Sequence, residues 1–306
     1  MSVAPAISQI SRPETAGIPY LTAQEFANAP TGLQLSNLIP GIGSAPEQNQ
    51  ALQAAILRAS SWMDVQCHQV LASTTDTEMA RGRMRKDGSI YVFPRCFPIR
   101  EVTSVAVNYQ PLNFTPMTSL ASVVPLNRTF VIYQAPFPFT SNLGPVQFGP
   151  IGNWEECWVQ YSYVNGYPVT TLAEPCASGA STITVVSALG MIPGVVLTIS
   201  DIPNTESVGV ESVSGNVVTL TGTTVSAHLA GTYTSALPEA VKQAAILATA
   251  GFIQERGTGA LTMATIGGAP THVNSPPGGG PSDLQQALVI LQEGGFVAQV
   301  SLPSQL

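Results

Sequence analysis

Apolar and polar positions follow two different periods along this chain. From Ser44 to Leu71 (SAPEQNQALQAAILRASSWMDVQCHQVL), Leu52, Ile56, Ala59 and Met63 recur at helical spacing, with Ala55 and Trp62 widening the stripe. Ser44 and Glu47 have the Ser-x-x-Glu spacing of a capping box, and Pro46 suits a first turn. One long amphipathic helix is predicted here. A second, Pro238 to Gln254, carries Ala244, Ala245, Ala248 and Ala250, small residues that let a partner helix approach closely. Thr22 and Glu25 form another capping box, opening a short helix that Pro30 and Gly32 end. Ser282 is placed to cap a last helix, Asp283 to Glu293, with Leu284, Leu288 and Leu291 on one side and Gly294-Gly295 at its end.

Between the two long helices the period drops to two. Thr77–Arg85 and Ser89–Phe93 flank Lys86-Asp87-Gly88, a hairpin signal, and Val102–Tyr109, Thr129–Tyr133 and Glu156–Tyr163 read as further strands. From Leu172 to Ala236 short Val/Thr/Ile runs alternate with Gly turns: Ser181–Val186, Val195–Ser200, Glu206–Val213, Asn216–Thr221 and Gly231–Ser235. This spacing describes a small β-barrel or sandwich inserted into a parent domain. The expected fold is α+β: two long packed helices with a C-terminal helix, a hairpin and strand region, and the inserted β module. Its parts are an N-terminal arm (1–20), a first core segment (21–171), the β module (172–236), the second long helix (237–257), and a linker, helix and tail (258–306).

Composition narrows the class. Of 306 residues 44% are hydrophobic and only 9% charged, too apolar for disorder and low in charge for an ordinary surface. That suits a turn-rich β protein buried on several sides in an assembly. The formal net charge of −7 argues against nucleic-acid binding by bulk electrostatics. Yet Arg81, Arg83, Arg85, Lys86, Arg95 and Arg100 are six of the eleven cations. Cys67, Cys96, Cys157 and Cys176 form no Cys-x-x-Cys pair, and reduced thiols are expected. The first thirty residues lack a basic region followed by an apolar run, and no stretch is apolar enough for a membrane span, so no secretory signal and no membrane partner are expected.

The sequence carries no recognisable catalytic or metal-binding pattern. His68, His228 and His272 are far apart, His68 suiting a helix end and His228 a turn in the β module. No nucleophile elbow, Walker loop or dinucleotide fingerprint occurs, so neither an enzyme nor a cofactor is expected. The arginine hairpin stands out. Arg81, Arg83 and Arg85 alternate, and as a strand they share one face. One reading is a solvated face balanced by Asp76, Glu78 and Asp87. The other, with Lys86 included, is a surface meeting an acidic partner or DNA phosphates.

Taken in order, these pieces resemble the head–tail connector (adaptor, or head-completion) proteins of long-tailed bacteriophages. The resemblance lies in four places. The first is the short helix after Tyr20-Leu21-Thr22 followed by the helix with Ala55-Ile56-Leu57 and Ala59-Ser60-Ser61-Trp62-Met63. The second is Phe97-Pro98-Ile99-Arg100-Glu101-Val102-Thr103-Ser104-Val105, similar to the family's proline–hydrophobic–x-x-Val-x-Ser-Val signature. The third is Leu237-Pro238-Glu239-Ala240-Val241-Lys242-Gln243-Ala244, closed by Glu255-Arg256, and the last is the terminal helix and tail. The β module and the proline-rich stretch 110–150 are not part of a minimal connector.

The resemblance implies a structural virion protein at the head–tail neck. Such a protein forms a ring, commonly dodecameric, between the portal protein and a tail terminator, stopper or other neck protein, and genomic DNA passes through its lumen without specific binding. It further implies that Leu284, Leu288, Leu291, Phe296 and Val297 form an arm reaching a neighbouring subunit or the portal. A tail terminator or capsid decoration protein is the alternative within structural proteins, and a surface-binding adhesin module the alternative from another class.

Overall fold

The computed structural model describes residues 17–33, 35–38, 44–85, 88–108, 113–133, 155–261 and 282–297. The chain is mixed α+β, with two curled antiparallel sheets and four α-helices among the described residues. The helices are α1 (Ala23–Asn28), α2 (Ala45–Cys67), α3 (Glu239–Leu261) and α4 (Asp283–Glu293). The first sheet holds β1 (Thr74–Met84), β2 (Ile90–Val92), β3 (Ile99–Asn108), β4 (Thr115–Pro116), β5 (Val123–Pro125), β6 (Phe130–Ile132) and β7 (Glu155–Asn165). The second holds β8 (Val169–Thr171), β9 (Thr182–Thr184), β10 (Val196–Ser200), β11 (Glu206–Ser214), β12 (Val217–Leu220) and β13 (Tyr233–Ser235). Two compact units result, one built on Ser73–Gly166 and the other on Thr15–Ala72 with Tyr167–Leu306.

In the first unit the strand order is β4-β3-β7-β1-β2-β6-β5. Strands β1 and β7 pair over their whole length, from Thr74 opposite Asn165 to Met84 opposite Glu155. The Ile99 N–H donates to the Asn127 carbonyl at 3.0 Å, which curls the sheet until the start of β3 meets the β5–β6 turn. The concave face is filled by Ile90, Val92, Val105, Phe130, Val159 and Tyr161. Gly82 lies in that face because nothing larger fits: a Cβ there would stand 2.5 Å from Ile90 Cγ2 and 2.9 Å from Val159 Cγ2.

The second unit joins the four helices to a small barrel. Helices α2 and α3 share one core with α1 and α4, containing Leu52, Ile56, Met63, Val241, Ala244 and Ala248. The alanines bring the helix axes close, and Trp62 meets Phe252 edge-on with ring centroids 6.3 Å apart. Thr22 caps α1 and Ser282 caps α4, each in a full capping box, with Glu25 and Gln285 as the reciprocal partners. At α2 the outcome differs from the expected box. The Ser44 hydroxyl bonds the Glu47 carboxylate, and no side chain caps the helix backbone. His68 closes α2 in the left-handed conformation, φ 55°.

The barrel order is β8-β13-β10-β11-β12-β9, and a bridge between Leu172 and Val185 joins its two edges. The Ala173 N–H to Thr184 carbonyl bond at 2.8 Å and the Val186 N–H to Thr171 carbonyl bond at 2.9 Å flank that bridge and cover part of both edges. The expected module began at Leu172 and had five strands. The sixth, β8, comes from the residues just before it, where three residues between Pro168 and Leu172 carry too short a pattern to register.

Two polar clusters tie this unit together. Glu25 accepts from Lys242 Nζ at 3.0 Å and from Ser200 Oγ at 2.8 Å, linking α1, α3 and β10. Burial pushes the Glu25 carboxyl up, but the Thr22 N–H, the Lys242 charge and the Ser200 hydroxyl together hold it below its ordinary value. On α2, Asp64 accepts from the Tyr20 hydroxyl and from the Leu71 N–H at 3.1 Å. Burial there outweighs both bonds and pushes Asp64 up to about 6.

Candidate functional site

The arginine strand owes its orientation to the residues between the arginines. Gly82 and Met84 are buried in the concave face, so the two-residue period of a strand turns Arg81, Arg83 and Arg85 outward, and all three are exposed. A one-residue slip would bury three guanidinium groups and expel Met84, which pins the register. Across the sheet Arg81 stands opposite Trp158, and Trp158 opposite Asn108. The next row runs from Glu156 through Arg83, Tyr91 and Val131 to Val124.

Each arginine lies over an aromatic ring. Arg81 Cζ is 5.2 Å from the Trp158 ring, Arg83 5.9 Å from Phe93 and Arg85 4.0 Å from Tyr91. A guanidinium over a ring at an exposed site gains about 0.5–1 kcal/mol, and the planar group is held ready for a planar anion. Phe93 is 51% exposed and Val124 40%, so apolar surface accompanies the charge. Lys86, the fourth candidate cation, lies outside the described residues, as does Asp87. Of the other nearby cations, Arg100 donates through Nε to the Gly166 carbonyl at 2.8 Å, and Arg128 stacks 4.1 Å from Phe97.

Asp76 and Glu78 do not balance these arginines. Both are buried in the opposite face. Glu78 accepts from the Tyr163 hydroxyl at 2.7 Å, from the Tyr161 hydroxyl at 2.9 Å and from the Arg95 N–H at 3.2 Å. Burial first, and the Glu78 charge second, push both tyrosine hydroxyls far above their ordinary range. Asp76 accepts from Asn165 Nδ2 at 2.6 Å. The signal was in the sequence: the acids occupy even positions and the arginines odd ones, so one strand must part them.

The terminal-helix residues are placed elsewhere than a free arm would put them. Leu291 and Phe296 are buried in the chain's own helical core, with Leu284 and Val297 packed against it and Leu288 half-buried. The Phe296 carbonyl accepts from Gln69 Nε2 at 2.9 Å. Gly251 permits the close approach of α4, since a Cβ there would lie 2.8 Å from Leu284 Cγ. What α4 leaves outside is mostly polar, apart from Val289, which is 45% exposed.

His228, expected to order a turn, does so as a buried tie. Its Nδ1 lies 3.1 Å from Asp201 Oδ2 and its Nε2 2.5 Å from Glu206 Oε1, with the imidazole fully enclosed. Glu206 also accepts from the Val225 N–H at 2.7 Å and the Ser226 N–H at 3.2 Å. Burial raises the Glu206 carboxyl, and these N–H groups and the histidine lower it further, to a net position below its ordinary value. The cluster pins the 222–231 loop, and Cys176, whose backbone pairs with that of His228, donates its thiol to the Ala177 carbonyl at 3.5 Å and to Thr224 Oγ1 at 3.7 Å. No trio of His, Cys, Asp or Glu among the described residues is placed to hold a metal ion. None of the four cysteines is in a disulfide, and burial pushes Cys67 up to about 12 and Cys157 to about 11, which makes these two poor nucleophiles. No helix among the described residues is long and apolar enough to cross a membrane.

Searches of protein-family models, curated proteins and solved structures found no match to this chain.

Proposed function

We propose that this chain is a structural virion protein of the head–tail connector kind, a ring subunit seated between portal and tail. One observation carries the reading: two 23-residue helices, with both sheets between them in sequence, pack on each other and on the two capped shorter helices. The order of short helix, long helix, strand, second long helix and terminal helix is the one in which the sequence resembles that family, and the inserted barrel is an addition to it. The small number of charges fits a subunit walled in by neighbours, and the net charge of −7 fits a channel that lets DNA pass. The arginine face supplies a partner-facing surface, and no catalytic function is assigned to it. The His228 cluster serves the barrel's own architecture.

The test is co-migration with portal rings in gel filtration. A connector moves to the portal fraction and remains there. Elution of the protein at its own position after incubation with intact portal rings would refute the reading, and a stable trimer or hexamer indifferent to portal would favour a decoration or terminator protein.

A further inference from the structure

Charge is divided unequally between the two units. The stretch Ser73–Gly166 holds Arg81, Arg83, Arg85, Lys86, Arg95, Arg100 and Arg128 against Asp76, Glu78, Asp87, Glu101, Glu155 and Glu156, and is close to neutral. In the other unit the cations are Arg58, Lys242 and Arg256, and Lys242 is already committed to Glu25. The barrel is the extreme case. From Tyr167 to Leu237 it contains Glu174, Asp201, Glu206 and Glu211 and neither Lys nor Arg. Glu174 and Glu211 are exposed. The barrel also exposes apolar side chains: Val196 is 58% exposed, and its register partner Gly209 lies two residues before Glu211.

We infer that the Arg81/Arg83/Arg85 face of one copy docks on the acidic barrel of a second copy. The inference deepens the ring reading, on which it rests for the identity of the neighbour. Three observations select a second copy over DNA. First, the face is composed as protein interfaces are: arginine with Trp158, Tyr91, Phe93 and exposed valine. Second, a chain of net charge −7 is repelled from a polyanion, whereas the unit that carries the barrel, with eleven Asp and Glu against three cations, supplies a complement to the arginines, although Glu156 stands opposite Arg83 in register. Third, the barrel offers both carboxylates and exposed valines, matching the mixed character of the arginine face. Because the two surfaces differ, the contact is heterologous: each copy uses its face on one neighbour and its barrel on the other. Such a contact propagates and closes into a ring when its rotation permits.

The experiment is sedimentation velocity on the full chain and two charge-reversal variants, at up to about 100 μM, where a micromolar contact is populated. In one variant Arg81→Glu, Arg83→Glu and Arg85→Glu reverse the face. In the other Glu174→Lys and Glu211→Lys reverse the barrel. Each variant alone sets like charges against each other and associates on the order of tenfold or more weakly than the unaltered chain. Mixed in equal amounts they alternate, every contact again joins opposite charges, and association returns. Should either variant misfold by circular dichroism, the unaltered chain supplies the second measurement, since its association weakens as salt rises and screens the pairs.

Unaltered chain that stays monomeric at low salt overturns the inference. So does a face-reversed variant that associates normally, or a mixture that fails to recover. Binding of the unaltered chain to a DNA fragment that is lost in the face-reversed variant, with self-association unchanged, would assign the face to nucleic acid instead. Portal binding is scored separately: face-reversed protein that still joins portal rings would leave the connector reading intact while its lost self-association supports the contact. Salt-sensitive self-association without portal binding would do the reverse.

Discussion

Replacing Leu291 with alanine separates a helix that belongs to its own chain from an arm meant for a neighbour. Leu291 is fully enclosed in the core that α4 shares with α2 and α3. Losing the leucine branch forfeits about 2 kcal/mol of transfer free energy, at about 0.8 kcal/mol per buried methylene. The cavity adds up to about 2 kcal/mol more, because helices held by Gly251 and the Gln69–Phe296 bond cannot collapse fully into it. The expected cost is about 2–4 kcal/mol. Val289, on the outer side of the same helix and 45% exposed, is the control, and Val289→Ala should cost less than about 0.5 kcal/mol. Urea denaturation of the dilute protein, followed by far-ultraviolet circular dichroism, reads both. Equal midpoints for the two variants would refute the placement of α4 in its own core and restore the arm.

Three further outcomes follow from the buried polar groups. Asp64, raised to about 6 in the folded chain from an ordinary 3.8, binds its proton more tightly folded than unfolded. Its contribution is therefore fully present below pH 4 and declines as pH rises through 6, by about 3 kcal/mol at 1.36 kcal/mol per unit. Asp64→Asn keeps both acceptor bonds and should flatten the stability profile across that window in denaturant titrations at stepped pH; an unchanged profile would contradict the assignment. Glu25→Ala strands Lys242, which is 7% exposed, and should cost about 3 kcal/mol, while adding Lys242→Met to Glu25→Ala recovers much of that in a double-mutant cycle. His228→Leu leaves two carboxylates facing an apolar side chain, and hydrogen exchange should show the Val225 and Ser226 amides losing protection by at least tenfold, about 1.4 kcal/mol. Exchange no faster than in the unaltered chain would remove the loop-pinning role.

Much of the architecture is written in local patterns. The boxes Thr22–Glu25 and Ser282–Gln285 mark helix starts because Ser and Thr satisfy backbone N–H groups that nothing else reaches. The alternation of Arg81, Gly82, Arg83, Met84 and Arg85 foretells an arginine face, since an exposed guanidinium and a buried Met84 cannot exchange sides. The same parity places Asp76 and Glu78 on the inner face, a consequence masked by their nearness in sequence to the arginines. What was not legible depends on distant partners. Glu78 is satisfied by tyrosines more than eighty residues away, and His228 by carboxylates on another strand connection, so neither is distinguishable beforehand from a solvated residue. Strand β8 is fixed by β13 and by the barrel's closure rather than by its own three residues. The aromatic backing of the arginines likewise requires the sheet, because Trp158 reaches Arg81 only through the β1–β7 pairing.

The central claim is that the chain works as a ring subunit on a portal, and native mass spectrometry of the protein, free and mixed with portal rings, tests it most directly. The account predicts masses that step up in whole subunits on the portal and end at one filled ring, dodecameric if the family resemblance holds. Portal rings that retain their own mass at saturating protein would contradict it.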